Sequence, residues 1–203
     1  MNQSLEKRVN LLEDFQAISN LQGRYNHYLA TNQYGKIGGL FAQDHDIKAE
    51  IADSGVWEGK EEVAKLFQHL GTKYNMPGAL FVHMLLTPVI EVAEDGQSAK
   101  GMWNSFGTNT YKAEDNQLDA MWQLGKYDQT FVKENGQWKY KEFRWHVIFR
   151  TPYHEGWVKK PIVEGLHEEG FPPVGEFYKP YDPNKHNEFL PVPPEPRTVD
   201  KKV

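Results

Sequence analysis

The chain has 203 residues, 39% hydrophobic and 25% charged, enough for one globular domain with an appendage and too few for two full domains. A formal net charge of −5 with no basic stripe argues against nucleic acid as a partner, because phosphate binding needs a cationic surface. The absence of cysteine removes disulfides, thiolate catalysis and thiolate metal sites together.

From Leu5 onward apolar residues recur at helical spacing, and Leu11, Phe15, Ile18, Leu21, Tyr25 and Tyr28 fall on one face. The segment Met1–Leu12 is charged and helical, unlike a secretory signal, and no apolar run approaches membrane-spanning length, so cytoplasm is the expected compartment. A second short helix is expected over Tyr34–Phe41, loosened by Gly35, Gly38 and Gly39. A strand follows over Ile47–Ala52, with a turn at Asp53-Ser54-Gly55. Val56-Trp57-Glu58-Gly59 leads into a third helix, Lys60–Tyr74, with Val63, Leu66, Phe67 and Leu70 as its apolar face.

The period then changes from 3.6 to two. Strands are expected over Leu80–Val92, Ser98–Tyr111, Asp119–Lys133 and Gln137–Arg150, with Lys112–Leu118 as a polar excursion. Glu94-Asp95-Gly96 and Asn135-Gly136 are the hairpin turns that join them. Helices gathered on one side of a long antiparallel sheet define an α+β fold, and strands of this length curve. Residues 151–203 hold ten of the twelve prolines yet also Tyr153, Trp157, Phe171, Phe177, Tyr178, Tyr181 and Phe189. Proline keeps this segment out of a sheet interior, and the aromatics mark it as more than a solvated tail. The expected organisation is therefore a domain over 1–150 and an extended arm over 151–203, packed on its own domain or on a neighbouring subunit.

Several motifs carry a resemblance. The helix Ile18-Ser19-Asn20-Leu21-Gln22-Gly23-Arg24-Tyr25, then Gly59-Lys60-Glu61-Glu62-Val63, and above all Gly125–Lys133 followed by Asn135-Gly136-Gln137-Trp138-Lys139-Tyr140 resemble SnoaL-like, nuclear-transport-factor-2-like proteins in order and spacing over roughly residues 8–150. The resemblance implies a cone-shaped curved antiparallel sheet with about three N-terminal helices packed on it. It also implies homo-oligomers, dimers or trimers. The family holds dehydratases, a dehydrochlorinase, cyclases and an isomerase beside non-catalytic binding modules, so fold alone does not decide function.

His83, flanked by apolar residues on its strand, resembles in position the catalytic histidine of the dehydratase-like members. A neutral imidazole in an apolar cavity takes up a proton near neutral pH, as β-elimination requires. The family's partner aspartate falls on Ala30 here, and no carboxylate lies between Asp14 and Asp44; Tyr28 or Asn32 is left to orient the ring. Arg144 and His146 share one face of the last strand, and the family often places an arginine near this point. His83, Tyr28 and Arg144 are thus the expected catalytic set. Tyr25, Trp57, Trp103, Trp122 and His146 are the expected substrate contacts, each equally explicable as a core residue. No metal or cofactor site is expected, because the histidines are scattered and neither a glycine-rich phosphate loop nor a nucleophile elbow is present. Two readings stand: a cofactor-independent lyase or isomerase acting on a small apolar oxygenated molecule such as an aromatic, polyketide or steroid-like compound, and a ligand-binding or assembly module of the same fold.

Overall fold

The first helix, α1 (Leu5–Ala30), starts where Ser4 Oγ accepts the Lys7 N–H, and ends where the Thr31 N–H returns to the His27 carbonyl. Its buried face is Ile18, Leu21, Gln22, Tyr25, Asn26 and Leu29. That stripe leaves Phe15 exposed and Tyr28 only partly buried, and it includes two amides the apolar pattern does not predict. The expected second helix is a 3₁₀ turn, Tyr34–Leu40, its pitch suited to a glycine-rich run. The computed structural model describes residues 4–112, 117–188 and 190–196, so most of the predicted polar excursion, and Phe189, lie outside the described residues.

The strands are β1 (Lys48–Ile51), β2 (Val56–Glu58), β3 (Phe81–Val92), β4 (Ser98–Lys112), β5 (Leu118–Glu134) and β6 (Gln137–Pro152), with the helix α2 (Lys60–Tyr74) between β2 and β3. They form one sheet in the order β2-β1-β6-β5-β4-β3, antiparallel throughout except for the parallel pair β1–β6. The fold is α+β, with the helices packed on one face of a six-stranded curved sheet. Asn135 and Gly136 both adopt positive φ, as a type I′ hairpin demands. Pro88 is tolerated because β3 is an edge strand and the register shifts between Leu86 and Val89.

Two irregularities in β6 matter for everything that follows. Phe131 pairs with Tyr140 and Thr130 with Glu142, so Lys141 is an extra residue; Gly125 pairs with Val147 and Leu124 with Phe149, so Ile148 is a second. Each bulge reverses which parity points inward. Trp138 and Tyr140 face the helices, then Phe143, Trp145 and Val147 do, and beyond the second bulge Arg150 does. The core is correspondingly aromatic: Tyr25, Phe41, Phe67, Tyr127, Phe131, Tyr140 and Phe143 meet mostly edge to face or tilted, at centroid distances from 4.5 to 6.3 Å.

The arm packs back on this chain. Leu166 is buried in the core, the Phe171 ring sits edge-on to Trp57 at 4.9 Å, and Lys73 Nζ donates to the Gly165 carbonyl and pairs with Glu168. Gly55, at φ 90°, lies so close to the arm that a Cβ there would stand 2.1 Å from the Pro172 carbonyl oxygen. The bulged Ile148 offers its free carbonyl to the Tyr181 N–H at 2.7 Å. No helix among the described residues is long and apolar enough to cross a membrane.

Candidate active site

The odd-numbered residues of β4 and β5 face the helices, and β3 keeps the same parity up to its bulge, so His83, Asn109, Gln123 and Tyr127 come to one side of the sheet. With α1, the 3₁₀ turn and α2 they enclose a small cavity of about 20 Å³, room for about one water. Its walls include Tyr25, Leu29, Tyr34, Leu70, Tyr74 and Phe81, then His83, Gln123, Trp145 and Arg150; Leu166 of the arm completes the lining. Trp145 lies flat across β5 at Gly125, where a Cβ would stand 2.7 Å from its ring.

His83 is held from every side. Its ring lies over Phe81 at 4.8 Å and against Trp145 at 4.9 Å. Nδ1 contacts the Tyr127 hydroxyl at 2.8 Å, and Gln123 Nε2 meets ring Nε2. With that amide donating, Nε2 carries the lone pair and Nδ1–H donates to Tyr127. Nε2 is also the nitrogen on the cavity side, because Gln123 lines the cavity and Tyr127 lies behind it. Burial, reinforced by the positive charge of Arg150 and only partly offset by Gln123, pushes the imidazole down to about 3, so the ring is neutral at physiological pH. The His83 carbonyl accepts from Asn26 Nδ2 at 2.9 Å; Asn26 is bonded by Gln22, and Gln22 by the Tyr140 hydroxyl. This chain explains the two buried amides of α1.

Arg150 and Asp53 form a buried ion pair at 2.8 Å beside the histidine. Burial pushes the Asp53 carboxyl up, but the Arg150 guanidinium and the N–H groups of Gly165 and Leu166, both donating to Oδ2, together hold it below the ordinary aspartate value. One carboxylate thus orients the cavity's cation and clasps the arm.

Of the residues expected from sequence, the structure brings His83 and Tyr25 to the cavity. The Tyr25 ring is in the wall, and its hydroxyl is bonded to Tyr127. Tyr28 stands outside under Lys36, because the buried stripe of α1 passes through Leu29 instead. Neither Tyr28 nor Asn32 orients the imidazole; Tyr127 and Gln123 do. Ala30 is exposed at the end of α1, and the residue of that helix nearest the histidine backbone is the neutral Asn26.

Arg144 and His146 are not in the cavity: the first bulge of β6 turns even-numbered residues outward there. They form a cluster on the opposite face with Glu50, Asp128 and Glu142, capped by the Phe177 ring 5.1 Å from the guanidinium. A wider groove of about 590 Å³ runs from His146 along the arm past Lys179, Asp182 and Glu188, solvated and remote from His83. Trp57 donates to the Ser54 carbonyl and packs on Phe171, Trp103 packs on Phe131, and Trp122 stacks on Phe106 at 5.3 Å on the outer face, as its even number on β5 dictates. None of the three lines the cavity. Sequence reasoning missed Asp53, Gln123, Arg150 and Leu166. The alternation of β5 signals Gln123, two turns of the pleat from Tyr127; Arg150 is hidden by the second bulge, and Asp53 and Leu166 by their loops.

Comparison with known proteins places this geometry. The SnoaL-like domain family matches residues 10–144. No curated protein matches the sequence. Among solved structures, a protein provisionally assigned as a scytalone dehydratase from Novosphingobium aromaticivorans is similar, with a TM-score of 0.62 at 20% identity over 80% of this chain and 97% of that one. The hexachlorocyclohexane dehydrochlorinase LinA-type3 of Novosphingobium barchaimii aligns with a TM-score of 0.60 at 16% identity, over 71% of this chain and 93% of its own. A type 2 hexachlorocyclohexane dehydrochlorinase gives 0.61 at 17%, over 81% and 99%. At these identities the likeness is one of fold.

Proposed function

We propose that this chain, which belongs to the SnoaL-like family, acts as a cofactor-independent lyase or isomerase on a small, largely apolar molecule bearing oxygen. The observation that carries the reading is the neutral His83, its Nε2 on the cavity side next to the buried cation Arg150. For a β-hydroxy ketone, Arg150 stabilises negative charge developing on the carbonyl oxygen while Nε2 accepts the proton from the adjacent carbon. The C–H electron pair becomes the new C=C bond as the C–O bond breaks, and the departing hydroxide takes the proton back from the imidazolium to leave as water. A ring-sized substrate does not fit about 20 Å³, so binding requires the walls to move apart, Leu166 of the arm among them.

The same elements support a second reading, a ligand-binding module without turnover. Both ring nitrogens of His83 are occupied by protein groups, no carboxylate among the described residues contacts the imidazole, and its basicity is depressed. The discriminating experiment incubates the wild type and His83→Gln with one- and two-ring β-hydroxy ketones and follows enone absorbance. Dehydration by the wild type, lost by at least 100-fold in His83→Gln, supports the lyase. An equal rate in the two proteins would sink the mechanism, and saturable binding without any dehydration selects the binding module.

A further inference from the structure

Three residues that line the cavity each carry a polar atom with no hydrogen-bond partner among the described residues: the Tyr34 hydroxyl, Trp145 Nε1–H and Asn109 Oδ1. Their residues are 5%, 4% and 4% exposed, so bulk solvent does not reach them. Buried polar groups in folded proteins are almost always paired, so three orphans on residues around one small cavity call for a partner. Asn109 hydrogen-bonds the Tyr74 hydroxyl through the other end of its amide, which leaves Oδ1 as an unpaired acceptor on a residue that lines the cavity. Burial, with the neighbouring Tyr74, pushes the Tyr34 phenol up, so it remains an O–H donor at any physiological pH.

We infer that Tyr34, Trp145 and Asn109 are the ligand-recognition groups of this cavity and select a ring compound that carries both a carbonyl and a hydroxyl group. The polarity of the three atoms specifies the partner. Two donors, Tyr34 O–H and Trp145 N–H, beside the Arg150 guanidinium call for an acceptor oxygen, a carbonyl. One acceptor, Asn109 Oδ1, calls for a hydroxyl. Between them the wall is apolar, with Leu29, Leu70 and Phe81, and takes a hydrocarbon ring. The assignment rests on the proposal that ligands enter this cavity; it concerns binding and holds whether or not turnover follows.

The test is a binding titration, read by tryptophan fluorescence, with 4-hydroxyacetophenone, which has both groups, acetophenone, which lacks the hydroxyl, and 4-ethylphenol, which lacks the carbonyl. The wild type is expected to bind 4-hydroxyacetophenone about 10-fold more tightly than either of the others. Tyr34→Phe, which keeps the ring, is expected to weaken 4-hydroxyacetophenone about 10-fold and leave 4-ethylphenol unchanged, while its thermal midpoint stays level or rises because the lost hydroxyl had no partner. Asn109→Leu is expected to weaken 4-hydroxyacetophenone and spare acetophenone. Unchanged affinity in both variants, no discrimination among the probes, no saturable binding to the wild type, or a lowered midpoint in Tyr34→Phe overturns the assignment. Selective binding with no dehydration of β-hydroxy ketones removes the lyase reading and leaves this one standing; dehydration with unaltered affinities does the reverse.

Discussion

Asp53 and Arg150 are joined at 2.8 Å with side chains 3% and 4% exposed, and the second oxygen of the same carboxylate holds the backbone of Gly165 and Leu166. The pair therefore links β6, the turn after β1 and the arm at the closed end of the cavity. An ion pair so buried contributes little net stability relative to apolar packing, yet losing one partner leaves the other charge stranded.

Asp53→Asn is accordingly expected to destabilise the fold by about 3–5 kcal/mol, measured by urea denaturation. The double variant Asp53→Leu with Arg150→Met removes both charges and is expected to recover at least half of that loss. A double variant no more stable than Asp53→Asn would show that the clasp on the Gly165 and Leu166 N–H groups, rather than the charge, is what matters.

His83 is expected to make the protein acid-sensitive well above the carboxylate range. Between pH 6.5, the ordinary imidazole value, and about 3, the unfolded chain binds a proton that the native ring does not. The unfolded state holds more protons, so stability falls as pH falls, by up to roughly 1.4 kcal/mol per unit. Asp53 acts lower: its depressed carboxyl contributes stability above the ordinary aspartate value that is lost as pH falls through the native one. Urea midpoints at pH 7, 6 and 5 are expected to decline less steeply in His83→Gln than in the wild type; parallel declines would exclude His83 as the source.

Tyr127 is a positioning residue. Tyr127→Phe leaves Nδ1–H of His83 without its 2.8 Å partner and should cost roughly 1–3 kcal/mol of stability. On the lyase reading it lowers kcat with little change in KM, because the ligand never touches Tyr127. A change confined to KM would place Tyr127 in ligand binding.

Gly55→Ala tests the docking of the arm. The substitution forces an alanine into φ 90° and drives its Cβ onto the Pro172 carbonyl. The expected result is a loss of about 1–3 kcal/mol, with faster tryptic cleavage after the exposed Lys159 as the arm lifts. Cleavage at the wild-type rate would mean that the arm is held independently of this contact.

Much of the fold was legible in the chain because its signals are local. The helical stripe through Ile18, Leu21 and Tyr25, the glycine-bearing turns at Gly96 and Asn135-Gly136, and the alternation along β4 and β5 each depend on neighbours a few residues away. His83 stood out by its resemblance in position to a family histidine, and the strand β3 places it on the inner face. The arm was legible only as a composition: its prolines exclude a strand, but nothing local says that Leu166 lines a cavity whose other walls are spread from Tyr25 to Arg150.

The sequence by itself determined most of the elements, their order and the apolar strand neighbours of His83, since periodicity and composition are properties of the chain alone. Which arginine serves the cavity was decided by tertiary structure. Counting by twos along β6 puts Arg144 and Arg150 on one face together. The bulges at Lys141 and Ile148 arise from the register against β5, each reversing the parity, so that Arg144 joins Glu50 and Glu142 outside while Arg150 turns in to Asp53. Pairing between distant strands sets that register, and no window of the sequence contains it.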